Sequence, residues 1–430
     1  MRRTILALVA LTSILAARAE AYPLDGWEET GIDRLKAYDL ARDYLLQIGQ
    51  LKPGALRGLG DIRLALLDRA ELSLPESSPE LSDQIRAQLG DEADLYGISL
   101  LDLSDPDAPR YAEHNALMVQ NPGSVGKLVV LLAWFQVLAD LYPDDVEARH
   151  RLLRDTVVVA NEFIRNDHHV VPVWHPGEPR VKRRAIAEGD RANLWTFMDW
   201  TASASSNAGA SMLMAHLILL KHFGTDYPVS DAMAAAFWTD TPREQLQAIY
   251  TDAIQTPLRR NGIDFRRFRQ GKFFTREGQR RLGGTNSVVT ARELTRYMML
   301  LEQGKLVDPW SSLQIKRLLY LTDWRIRYAS HPSLSDSAVY YKSGSLYSCR
   351  PEPGFTCNRN AGNRLNFMNS VAIIERESEG RRVHYIVTVL SNVLRKNSVQ
   401  EHRELAARIH EIVLGVPPTV SGIGPSPESD

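Results

Sequence analysis

The stretch NPGSVGKLVVLLAWFQVL, residues 121–138, places a serine and a lysine three positions apart at the start of an apolar run. Pro122 and Gly123 set a turn, so Ser124 opens a helix and Lys127 lies on the same face one turn later. A serine hydroxyl is a weak nucleophile at neutral pH and needs a base. A lysine amine supplies one if burial or nearby positive charge lowers its pKa. The apolar residues after Lys127 offer the low-dielectric wall for this, and the helix N-terminus favours a developing oxyanion. By itself the pattern reads more simply as a helix cap beside a solvent-facing lysine. The pair needs further company.

Two more segments supply it. Ser205-Ser206-Asn207 offers a hydroxyl and a carboxamide in a turn between helices, and Lys342-Ser343-Gly344 lies inside a late strand. In that strand the lysine brings fixed positive charge, and the glycine lets another backbone approach. Each segment alone reads as structural. In this order the three resemble the active-site motifs of serine β-lactamases and penicillin-binding proteins, S-x-x-K, S-x-N and K-[ST]-G, and look most similar to class A β-lactamases. The resemblance implies that Ser124 is the acylated nucleophile and Lys127 its proton acceptor. It implies that Ser205 passes a proton to the leaving nitrogen, and that Asn207 holds substrate amide and orients Lys127. Lys342 and Ser343 would bind a substrate carboxylate beside Gly344. The backbone N–H groups of Ser124 and Ser345 would form the oxyanion hole.

The chain departs from that pattern twice. Ser206 stands where the family usually has aspartate. The E-x-x-L-N segment that carries the deacylating glutamate is missing, and the acids in the corresponding stretch are Asp264 and Glu277. Without a base to activate water, an acyl-enzyme persists. The resemblance therefore implies either a secreted hydrolase of β-lactams or a D-alanyl-D-alanine carboxypeptidase or penicillin-binding protein acting on cell-wall peptides. A non-catalytic wall-binding protein of the same fold is a third possibility. No cofactor or metal is implied.

The elements around these motifs fall into two groups of strands. YGISLLDL (96–103) and RYAEHNA (110–116) form a hairpin before Ser124; AVYYKSGSL, NSVAIIERE and RVHYIVTVLSNV come late, over 338–393. Mostly helical sequence lies between. This predicts an α+β fold: an antiparallel sheet of about five strands built from both chain ends, flanked by helices, with an all-helical insert over about 128–330. Residues 95–415 make up the β-lactamase-like domain. Residues 22–94 read as an extra helical segment, with helices over 32–51 and 61–72. Residues 416–430, rich in Pro, Ser and Gly, read as a disordered tail.

MRRTILALVALTSILAARAEA has the charged start, short apolar run and small-residue cleavage site of a secretory signal peptide over 1–21. A periplasmic or secreted protein, soluble rather than membrane-spanning, is expected. In that oxidising setting Cys349 and Cys357 are expected to pair across RPEPGFT. The formal net charge of −1 argues against a nucleic-acid partner. His168 and His169, adjacent in a loop with Asp167 and His175, are expected to diverge rather than converge on a metal. His216, inside MLMAHLILL, reads as a satisfied core histidine.

Overall fold

The computed structural model describes residues 26–42, 46, 52–322, 325–378 and 380–416. The leader at 1–21 and most of the expected tail, 417–430, lie outside them. Five strands form one antiparallel sheet: β1 (Tyr96–Asp102), β2 (Arg110–His114), β3 (Ala338–Ser348), β4 (Leu365–Ser378) and β5 (Arg381–Asn392). Their spatial order is β2-β1-β5-β4-β3. The N-terminal hairpin thus docks on the C-terminal β5, with Ile98 opposite Val389 and Leu100 opposite Val387.

Alternation along the strands separates two cores. On β4 and β5, Val371, Ile373, Ile386 and Leu390 face the helical insert. Ala372, Ile374, Val387 and Val389 face the other way, onto Leu405 and Ile409 of the C-terminal helix and Leu81 and Ile85 of a helix at Pro79–Ala87. Six helices position the site: α1 (Lys127–Leu141), α2 (Leu194–Ala202), α3 (Asn207–Phe223), α4 (Ala291–Glu302), α5 (Pro309–Tyr320) and α6 (Ser398–Leu414). The stretch Gly123–Leu141 is long and apolar enough to cross a bilayer, but 78% of it is buried inside the fold. It is a central core helix, apolar all round because protein surrounds it.

Two expectations need correction. The insert is not all-helical: short antiparallel ladders pair Val157–Val159 with Arg191–Asn193, Val171–Val173 with Lys182–Arg184, and Phe268–Arg269 with Val288–Val289. Each pins a long loop. The segment 61–72 is not a helix either; it carries isolated 3₁₀ turns at Leu59–Asp61 and Leu67–Arg69. Its backbone is claimed by other elements. Lys316 Nζ donates to Arg63 O at 2.7 Å, Ala65 N donates to Glu302 Oε2 at 2.8 Å, and Leu66 N donates to Glu302 O at 3.0 Å. Those bonds replace the i to i−4 ladder, so tertiary contacts override the helical propensity of the segment.

The same contacts expose a buried charge cluster. Lys316 on α5 sits 2.6 Å from Glu302 on α4 and 2.5 Å from Glu375 on β4. Arg57, from the N-terminal segment, reaches Glu375 Oε2 at 2.6 Å. A second anchor is Arg34, which grips both oxygens of Asp199 on α2 at 2.6 Å. Removing one partner of a buried pair strands the other charge. Lys316→Met should therefore cost about 3–5 kcal/mol of stability by urea denaturation. Burial works to raise the Glu375 pKa, but Lys316, His384 and Arg57 outweigh it and hold the pKa at about 2, below the ordinary 4.5. The stability from this depressed carboxylate is complete above pH 4.5 and drains away as the pH falls towards about 2. In Glu375→Gln the urea midpoint should respond less steeply to pH across that window.

Candidate active site

The fold brings the three motifs to one place. Residues Gly123–Gly126 form a 3₁₀ turn that runs into α1 at Lys127. Lys127 Nζ lies 2.8 Å from Ser124 Oγ and donates to Asn207 Oδ1 at 2.7 Å. Lys342 Nζ donates to Ser205 Oγ at 2.8 Å and to Ser343 O at 3.0 Å. Ser124, Lys127, Ser205, Asn207, Lys342 and Ser343 are therefore joined in two short chains of polar contacts.

Backbone geometry holds them there. Ser205 has a left-handed φ of +60°, uncommon for a residue with a side chain and costly enough to mark a constrained site. Ser206 then caps α3, accepting from Gly209 N at 3.0 Å, and Asn207 follows as the first helical residue. On β3, Gly344 leaves no room for a side chain. A Cβ built there would lie 2.3 Å from Pro122 O and 2.5 Å from Ser124 N. A Cβ on Gly123 would come within 3.0 Å of Ser345 N. The edge strand is thus pressed onto the turn that carries Ser124.

Burial sets the electrostatics. Lys127 is fully buried, and Phe274 lies over its ammonium at 4.3 Å from ring centre to nitrogen. Desolvation lowers the Lys127 pKa to about 7, against a smaller opposing pull from Asp167. Lys342 is held well below its ordinary value by burial, then by the positive charges of Lys127 and Arg327.

Several residues here carry no motif and were missed. Arg327 donates to Ser343 Oγ at 2.9 Å and Ser345 Oγ at 2.8 Å, from a backbone with φ of +56°. Asn369, opposite Gly344 in the β3–β4 ladder, donates to Asn121 O and Pro122 O, both at 3.1 Å, and so clamps the turn before Ser124. Asp167 accepts from Ala208 N at 2.8 Å and Ser206 Oγ at 3.1 Å at the start of α3. A lone Arg, Asn or Asp gives no linear signal; only convergence identifies them.

The two acids considered from sequence are engaged elsewhere. Asp264 pairs with Arg267 at 3.4 Å, and Glu277 with Arg280 and Arg281 at 2.6 and 3.1 Å. Their segment presents Phe274 to Lys127 and Gln270 to Gly126. His168 and His169 do not diverge: their rings stack at 4.7 Å. His216 is half-buried and bonded to Tyr227 OH at 2.9 Å, and desolvation lowers its pKa to about 4, so it is neutral at pH 7. Cys349 and Cys357 are joined by a disulfide at the end of β3.

Residues 80–413 match the family described as the beta-lactamase enzyme family. No curated protein sequence matches the chain. Among solved structures, a point mutant of PBP-A, an acyl-enzyme complex with penicillin-G, aligns at TM-score 0.50 and 11% identity, covering 80% of this chain and 100% of its own. A beta-lactamase from Sphaerobacter thermophilus aligns at 0.49 and 13%, covering 79% and 98%. The TLA-3 extended-spectrum beta-lactamase aligns at 0.49 and 14%, covering 78% and 98%.

Because Gly344 admits no Cβ, Gly344→Ala should push the strand off the turn. A displacement of this kind, about 1 Å, costs on the order of a hundredfold in rate. The measurement is the rate of active-site labelling by a fluorescent penicillin, with folding checked by circular dichroism.

Proposed function

This chain belongs to the beta-lactamase enzyme family, and we propose that it is an exported serine hydrolase that opens a β-lactam amide through an acyl-serine. The observation that carries this reading is Lys127 Nζ, 2.8 Å from Ser124 Oγ and 2.7 Å from Asn207 Oδ1, in a fully buried setting. With a pKa of about 7, a large fraction of Lys127 is neutral at physiological pH and able to take the serine proton. Ser124 Oγ then attacks the lactam carbonyl carbon. The N–H groups of Ser124 and Ser345 stabilise the oxyanion. The C–N bond breaks as the Ser205 hydroxyl delivers a proton to the leaving nitrogen. The ammonium of Lys127 makes good that loss by re-protonating Ser205 and is neutral again, while Lys342, 2.8 Å from Ser205 Oγ, stabilises the oxygen by charge.

The cleft suits an anionic substrate. Lys127, Lys342 and Arg327 converge there, and their hydrogen bonds go to hydroxyls, a carboxamide and a carbonyl rather than to a carboxylate. A substrate carboxylate at Lys342 and Ser343 would restore the charge balance. The leader over 1–21 supports export to the periplasm, where such substrates are met. A penicillin-binding or peptidase role is the second reading; Asp264 and Glu277, engaged in arginine pairs, favour it.

Intact mass after exposure to benzylpenicillin tests the acyl-serine. Wild type should gain one penicillin equivalent or turn it over, and Ser124→Ala should do neither. A wild type that does neither contradicts the proposal and leaves a non-catalytic protein. Acylation needs neutral Lys127, so its rate should climb about tenfold per unit below about pH 7 and level off above it. A profile flat from pH 5 to 9 would show that Lys127 is not the proton acceptor.

A further inference from the structure

The segment in which the family keeps its water-activating acid brings Phe274 and Gln270 to the serine helix here. A phenyl ring and a carboxamide cannot accept a proton. A titratable pair does reach the site, from the loop that precedes the 171–173 strand. Asn166, with φ of +68°, turns that loop so that Asp167 meets the start of α3. There Asp167 Oδ2 accepts from Ala208 N and Ser206 Oγ. These residues flank Asn207, the partner of Lys127.

The second oxygen of Asp167 holds His169. Oδ1 lies 2.5 Å from His169 Nδ1 and 3.2 Å from the His169 backbone nitrogen, which donates to it. A carboxylate at Nδ1 fixes the proton on that nitrogen and leaves the lone pair on Nε2. Among the described residues Nε2 has no hydrogen-bond partner. The His169 side chain keeps 23% of its surface, so water reaches it.

We propose that the Asp167–His169 pair is the base of deacylation: His169 Nε2 removes the proton from the water that attacks the Ser124 ester. This rests on the acyl-serine reading above. The water oxygen bonds to the ester carbonyl carbon while its proton passes to Nε2. The tetrahedral intermediate collapses, the carbon–Oγ bond breaks, and the imidazolium returns the proton to Ser124 Oγ. The product leaves as a free acid, and the enzyme is restored without any co-reactant. The charged and titratable groups facing His169 are Asp167, His168 and Lys127. Burial and the positive charge of Lys127 outweigh Asp167 and favour the neutral, proton-accepting ring.

The ligand atoms of Asp167, His168 and His169 also lie within 4.8 Å of one another, the arrangement a metal ion could use. Both Asp167 oxygens are already engaged by Ser206, Ala208 and His169, which favours the dyad.

The test compares wild type with His169→Gln and His169→Ala on a chromogenic cephalosporin and on benzylpenicillin, reading turnover and intact mass together. In both variants turnover should fall at least about a hundredfold, the usual scale of general-base catalysis. The acylation rate should stay within a few-fold of wild type, which also certifies folding, and the Ser124 adduct should accumulate. Free imidazole should restore turnover in His169→Ala. Unchanged turnover in His169→Gln would overturn the proposal. So would a wild type that forms a permanent adduct, or wild-type turnover abolished by EDTA. Absence of both adduct and turnover in wild type would instead remove the acyl-serine reading, and the dyad's role with it.

Discussion

The site depends on keeping one amine dry. Lys127 begins a helix that is buried along almost its whole length, beneath the ring of Phe274. Lowering its pKa from 10.5 to about 7 corresponds to about 5 kcal/mol between its two protonation states. That is comparable with the whole stability of many domains, so the surrounding core must be rigid enough to refuse water. The Trp134 indole nitrogen donates to Leu213 O and ties α1 to α3, and Tyr297 OH donates to Leu128 O and ties α1 to α4. These contacts brace the helix where a loose neighbour would let solvent in.

A second constraint is the fit of backbone to backbone. The turn that carries Ser124 is wedged between Gly344 and the clamp from Asn369, while Gln120 Nε2 donates to Asn369 Oδ1 at 2.6 Å and fixes the clamp itself. The sheet is therefore part of the site as well as its support. A register shift of one residue along β3 would turn the Lys342 side chain to the opposite face.

The N-terminal residues contribute through buried charge. Arg34 and Arg57 reach across the sequence to Asp199 and Glu375, and the backbone from Arg63 to Leu66 lies on Glu302 and Lys316. Asp199 lies on α2, directly before the turn that carries Ser205. The described part of the segment thus stabilises the helix that leads into the Ser205 turn.

Much of this was legible in the linear chain. Strands of period two, separated from a helical stretch, announced one antiparallel sheet made from both ends, and the spacing of Ser124 and Lys127 placed both on a single helical turn. These follow from local periodicity, which each residue carries with it. Other features were not local. The stretch 61–72 has helical periodicity, yet its backbone bonds go to side chains of residues 302 and 316. Arg327, Asn369, Phe274 and the Asp167–His169 pair belong to no motif, and their part emerges only where distant segments meet. The sequence by itself determined which groups could exchange a proton and how far apart along one helix they stand. Tertiary structure decided which of them are stripped of water and which face one another, because desolvation and charge act through space and depend on neighbours that chain order does not specify.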